Sequence, residues 1–249
     1  HYRFLLGELV KKGIKLKYRR SYLGIVWSLL EPLLTMIVLT IVFGTLFGNK
    51  DRTFPVYILT GRLLYSYFSN STSRALKSVR ANAGMIKKVY VPKYIYPLTR
   101  IMSSLINMLI SLIPLAAVAL ISGLMPNKTY LLLPFPLFCL ALFCLGLGML
   151  LASAMVFFRD IQFLWGVLTT IWMYLTPIFY PITALPETIQ SVVKMNPLYF
   201  YVTFLRSCVI DGLSPEPIMY VQCALIALGM LAVGAFTFKK SQDNFVLYL

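Results

Sequence analysis

Two charged side chains stand inside long apolar runs, where a charge is costly: Glu31, followed by Pro32, and Arg62. Ionisable residues in membrane-length segments face a bundle interior, a wet cavity or a partner, and their default reading is functional. For Glu31 the other reading is a headgroup-level carboxylate paired with Arg19 or Arg20. For Arg62 it is a guanidinium that snorkels to the outer surface. A third group is basic. From Arg74 to Arg100 the stretch RALKSVRANAGMIKKVYVPKYIYPLTR holds seven Lys or Arg and no acid. At its centre Met85, Ile86, Lys87, Lys88, Val89, Tyr90, Val91 and Pro92 form a short amphipathic segment that the proline stops. It reads either as a handle gripped by a separate protein or as a solvated basic loop that only sets orientation. A fourth group is aromatic: Tyr65 and Phe68 beyond Arg62, then Trp172, Tyr174, Phe179 and Tyr180 at the end of a later apolar run. Rings placed so form an interfacial belt or a surface on which sugars stack.

Bond-making chemistry finds no comparable cluster. The sole histidine is His1, and Cys139, Cys144, Cys208 and Cys223 have neither metal nor redox spacing. Cys139 and Cys144 share one apolar run and read as packing residues. There is no GxxxxGK[ST] phosphate loop. Proton relays need intramembrane acids or histidines, and Glu31 stands alone near a rim. These absences argue against a membrane enzyme and a proton-coupled carrier. They leave a passive channel or a permease driven by a separate motor.

The elements that must hold these side chains are membrane spans. The chain has 249 residues, 59% hydrophobic and 12% charged, with a mean hydropathy of +0.79; soluble domains average about 25% charged residues. An all-α integral membrane protein is expected, one unit over 1–249 without a separate soluble domain. The net charge of +15 has no soluble, aromatic-interleaved face to offer nucleic acid. It fits cytoplasmic ends facing anionic lipid. The chain begins at His1 and is expected to be trimmed, without a cleavable signal pattern. Residues 1–22 read as an amphipathic helix lying in the interface. Six spans are expected near 25–47, 55–73, 101–122, 131–158, 162–180 and 218–238, since about 20 apolar residues cross a ~30 Å core. A short cytoplasmic helix is expected over 84–92. The apolar run at 198–210 is only about 20 Å long as helix, so 181–216 reads as a re-entrant outer hairpin. With that topology 17 of the 23 Lys and Arg fall inside and six outside, with both termini cytoplasmic. Gly44 and Gly48 form a GxxxG, and Gly146 and Gly148 allow close packing.

Several motifs carry a resemblance over nearly the whole chain. YRRSYLGIVWSLLEPLL, from Tyr18 to Leu34, resembles the entry signature of ABC-2 type permeases that export O-antigen, capsule or teichoic acid. It contains the W-x-x-L-x-P pattern of Trp27, Leu30 and Pro32. A KKVYVPKYIYP-like loop, an FRDI turn (Phe158 to Ile161), a TPIFYP span end and an NPL break (Asn196 to Leu198) follow in the same order. Each is weak alone, and six in order are specific. Arg62 departs from the pattern, which has an apolar residue there. The resemblance implies a non-enzymatic permease in the bacterial inner membrane that moves a lipid-linked polysaccharide. It implies a homodimer joined to two copies of an ABC ATPase subunit; ATP and Mg would bind that partner, and this chain would hold no cofactor or metal. Met85 to Pro92 would be the coupling helix, Arg159 and Asp160 a second contact, and the hairpin an external gate. Arg62, Tyr65, Phe68, Trp172, Tyr174, Phe179 and Tyr180 would be candidates for the substrate path. A drug or small-lipid exporter of the same group, or a stand-alone channel, is the alternative.

Overall fold

A computed structural model describes residues 2–18, 24–48, 50–88 and 90–248. Among the described residues it is helical, without strands. The order is α1 (Tyr2–Tyr18), α2 (Gly24–Phe47), α3 (Phe54–Ala81), α4 (Ala83–Ile86), α5 (Ile95–Ile121) and α6 (Pro134–Phe157). Then come α7 (Ile161–Leu175), α8 (Glu187–Lys194), α9 (Pro197–Arg206), α10 (Pro217–Ser241) and α11 (Phe245–Tyr248). Proline occupies the first turn of α3, α6, α9 and α10, where its missing N–H costs nothing and its fixed φ favours the helix. Val26–Phe47, Ile95–Ile121, Lys128–Phe157 and Pro217–Tyr248 are long and apolar enough to cross a membrane.

The boundaries depart from the sequence expectations at three places. α3 runs on to Ala81 instead of ending near Ser73, and α5 begins at Ile95, so Arg74, Lys77, Arg80 and Arg100 lie on helices. The connector is confined to 82–94. The short helix expected over 84–92 is a single turn, Ala83–Ile86; β-branched Val91 and the ring of Pro92 discourage its continuation. α7 stops at Leu175, because Pro177 lacks the N–H that would extend the ladder. Gly48 is no helix contact here: it caps α2 at φ 63° with nothing near its Cβ position.

The middle of the bundle is α6, which is mostly buried, whereas α2 is largely exposed. α3 packs along α5 and α6, and α10 packs along α6. The α6–α10 seam is a backbone contact. A Cβ on Gly234 would sit 1.9 Å from the Gly146 oxygen, and one on Gly146 would sit 2.3 Å from the Met230 oxygen.

The segment after α7 is held by two side chains of α9. Asn196 Oδ1 caps its own helix by accepting from Leu198 N at 3.0 Å and also accepts from Trp172 Nε1 at 2.7 Å. Its amide donates to Thr176 Oγ1 at 2.9 Å. Arg206 is 8% exposed and donates to Pro177 O at 2.6 Å, Tyr57 O at 2.8 Å and Ile178 O at 3.2 Å. Its guanidinium lies 3.4 Å from the Tyr57 ring centre. Pro177 O and Ile178 O lie beyond the end of α7 and have no ladder partner there, and a cation at that place also complements the dipole of α7. Tyr57 O, inside α3, additionally accepts from Thr60 Oγ1 at 2.9 Å. Gly61 makes the notch: a Cβ there would meet Arg206 Nη2 at 2.6 Å.

Candidate functional site

On α3, Arg62, Ser66, Asn70 and Arg74 recur every fourth residue and therefore share one face. Helix α2 brings Ser28, Glu31 and Thr35 to that face, and α5 brings Ser104, Asn107 and Ser111, at the same three- and four-residue spacings. The three stripes enclose a cleft of about 120 Å³, completed by Pro32, Leu63, Tyr67 and Met108. Glu31, Arg62 and Asn107, scattered in sequence, meet here.

Three of the neutral polar groups are turned onto their own helices. Thr35 donates to Glu31 O at 2.8 Å, Asn107 to Ser103 O at 3.0 Å and Ser111 to Asn107 O at 3.0 Å. The exceptions are telling. Tyr67 OH and Ser104 Oγ are buried without a partner among the described residues. Arg62 Nη1 contacts Met173 Sδ at 3.5 Å, and a thioether is a weak acceptor. Among the described residues the one ion pair is Lys11 with Glu8 at 3.1 Å, so neither Glu31 nor Arg62 is neutralised by it. Arg19 and Arg20, the expected alternative partners of Glu31, lie outside the described residues. A cleft of hydroxyls and amides with the Glu31 carboxylate and the Arg62 and Arg74 guanidinium groups is equipped to bind hydroxyl-rich guests, with net positive charge for an anionic one.

The aromatic candidates are not gathered on one surface. Tyr65 is buried and donates its hydroxyl to Thr169 O, tying α3 to α7. Phe68 is fully enclosed, with ring centres of Trp172, Trp165 and Phe143 at 5.0, 6.1 and 6.3 Å. Phe179 is buried and stacked on Phe43 at 4.9 Å. Trp172 is half-buried with its indole N–H committed to Asn196. Tyr174 is exposed, and half-buried Tyr180 donates its hydroxyl to Tyr174 O at 2.5 Å.

The basic connector offers a different surface. Met85, Lys87, Lys88 and Tyr90 are exposed, Tyr90 almost completely, while Ile86 is buried and Val91 and Pro92 are half-buried. Val89 lies outside the described residues. Arg159 and Asp160 are exposed in the turn between α6 and α7. Lys93 donates to Gln242 O and stands 5.8 Å from the Phe245 ring, which packs on Phe157 at 6.1 Å. Connector, α6 end and α10 end therefore share one end of the bundle.

Comparison with known proteins follows from this architecture. The ABC-2 type transporter model matches residues 5–210. The chain is 26% identical to the O-antigen export system permease protein RfbA of Myxococcus xanthus, over 98% of this chain and 95% of that one. It is 25% identical to the protein of the same name from Klebsiella pneumoniae, over 97% and 93%. It is 26% identical to the capsule polysaccharide export inner-membrane protein CtrC of Neisseria meningitidis serogroup B, over 94% and 92%.

Proposed function

The chain belongs to the ABC-2 type transporter family, and from that premise we propose that it is the membrane permease of an ATP-driven polysaccharide exporter. The observation that carries this reading is end-to-end similarity to permeases named for O-antigen and capsule export. Those names favour a polymer over a drug or small lipid. The cargo is a lipid-linked glycan of O-antigen or teichoic acid type. Two copies of this chain pair in the inner membrane and join two ATPase subunits, which hold the ATP and Mg.

The spans are α2, α3, α5, α6, α7 and α10, with both termini in the cytoplasm. Residues 176–216 form a re-entrant outer segment that serves as a gate. Its support is that α9 is buried against protein on α3, α6 and α10, the condition under which a short helix persists at membrane depth. The exposed apolar face of α7, with Phe163, Leu164 and Val167, meets lipid or the second copy.

ATP binding closes the partner dimer, which moves the exposed Met85, Lys87, Lys88 and Tyr90 and the Arg159–Asp160 turn. Helices α3 and α5 follow, and the cleft opens toward the path. Arg62 then meets the phosphate of the lipid-linked end, and the polar stripe exchanges hydrogen bonds with sugars. Tyr174, Tyr180 and Trp172 supply ring faces, where weak contacts in series let a polymer bind and leave. Tyr65, Phe68 and Phe179 contribute by packing the walls.

The test is charge reversal of the connector. Lys87→Glu with Lys88→Glu should abolish export and uncouple ATP hydrolysis at normal chain levels. Intact export in that variant, or purification without any ATPase subunit, refutes coupling through this surface.

A further inference from the structure

A second cavity, of about 70 Å³, lies between α1, the α4 turn and the start of α5. One water needs roughly 10–15 Å³, so there is room for a small polyatomic group. Its charged lining is Lys12 and Arg100, without an acid. Glu8, one turn before Lys12, is engaged by Lys11 at 3.1 Å. Among the described residues neither Lys12 nor Arg100 has an ion pair. Two cations on adjacent helices are thus held together with no carboxylate between them.

The neutral donors point the same way. Tyr96 is 2% exposed, and its hydroxyl has no partner among the described residues. A buried, unpaired hydroxyl costs about 1–3 kcal/mol, which a ligand would relieve. Asn82 uses one amide hydrogen on Ser78 O at 2.7 Å and keeps another. The helices close tightly around this place: a Cβ on Gly13 would sit 2.9 Å from Ser103 Oγ. Arg100, Lys12, Tyr96 and Asn82 line a space with no carboxylate, and their side chains are the donor types of a phosphate site. Helix α1 carries Leu5, Leu6 and Leu9 beside its lysines, the pattern of a helix lying in the membrane interface. Phosphate at that depth belongs to lipid headgroups.

We propose that this cavity binds the phosphate of an anionic membrane lipid, which pins α1 to α5 beside the α4 turn. The site is separate from the cleft at Arg62. The proposal rests on the chain being a membrane protein with α1 at the interface and not on the nature of its cargo. Lipid composition would thereby set how firmly the base of the coupling region is anchored.

The test uses the full chain in phosphatidylcholine nanodiscs with and without phosphatidylglycerol. It reads retained lipid by native mass spectrometry and stability by thermal unfolding. Phosphatidylglycerol should raise the unfolding midpoint by preferential binding. Tyr96→Phe, which removes one oxygen, and Arg100→Gln should each weaken phosphatidylglycerol retention about tenfold. Lys239→Gln, at the same end but outside the cavity, should retain it normally. Unchanged retention in Tyr96→Phe and Arg100→Gln overturns the site, and equal loss in Lys239→Gln shows surface charge alone. Inorganic phosphate that raises the midpoint as much in pure phosphatidylcholine overturns the lipid as the ligand. Export can fail or succeed independently of each result.

Discussion

The seam between α6 and α10 gives the sharpest prediction, because its contact is backbone to backbone. An alanine at Gly234 would put a carbon 1.9 Å from the Gly146 oxygen, where ordinary contacts begin at 3.4 Å. Backbone atoms cannot rotate away, so the helices must part by on the order of 1 Å. A gap of that size forfeits a quarter to a half of the dispersion attraction along the seam. Overpacking typically costs about 1–3 kcal/mol, and an immovable neighbour places Gly234→Ala near 2–3 kcal/mol. In a chain of this size that lowers the unfolding midpoint by about 4–12 °C. Gly148→Ala would meet the Ala75 Cβ at 2.8 Å and the mobile Ile101 Cδ1 at 3.3 Å, so its expected cost is about 1 kcal/mol. Gly229→Ala and Gly166→Ala meet nothing within 4 Å and should gain up to about 1 kcal/mol of helix propensity. Thermal unfolding of the purified variants in one detergent checks the ranking. If Gly234→Ala melts at or above Gly229→Ala, the helices do not touch as described.

Two further outcomes concern charged side chains. Arg62→Leu should slow polysaccharide export about tenfold at unchanged chain level, the loss of roughly one charge-assisted contact; full-rate export removes Arg62 from the path. Arg206→Met should cost about 2–3 kcal/mol and expose the loop between Gly212 and Glu216 to protease. Arg206→Lys should rescue little, since an ammonium cannot fork across Pro177, Tyr57 and Ile178 while stacking on Tyr57; protection like that of the parent chain contradicts the clamp.

The apolar helices were legible because hydropathy, first-turn prolines and terminal glycines all mark them. The second half of α3 was not. Ser69, Asn70, Ser71, Thr72 and Ser73 look like the end of a span, yet Ser71 and Thr72 are fully buried against neighbouring helices. Thr72 closes its hydroxyl onto Phe68 O at 2.7 Å, a local bond that hydropathy averages cannot register. The stripe from Arg62 to Arg74 was readable from its spacing of four, but only Arg62 attracts attention when residues are weighed singly. Asn196 was marked by the NPL break, but its tertiary role and that of Arg206 were beyond reach. Their partners, Trp172, Thr176, Pro177 and Tyr57, are set by tertiary placement and leave no local signature. Phe68 teaches a similar lesson: an aromatic ring suits a sugar surface and a packed wall equally, and only burial separates them.

The features converge on α3. Its N-terminal half supplies Tyr57 and Gly61 to the Arg206 clamp, its middle supplies Arg62 to the cleft, and its C-terminus runs into the α4 turn. At 28 residues it is a rod of about 42 Å, and after Pro55 in its first turn it contains no proline. The two helices that complete the cleft differ: α2 holds Pro32 and α5 holds Pro114 within the helix, and prolines are where helices bend. A displacement applied at α4 thus reaches the cleft and the clamp together through the stiff member. The same displacement entering α2 would be absorbed at Pro32, beside Glu31. In the proposed exporter this asymmetry lets one push at the connector widen the cleft, because one wall moves as a body while the two facing it yield.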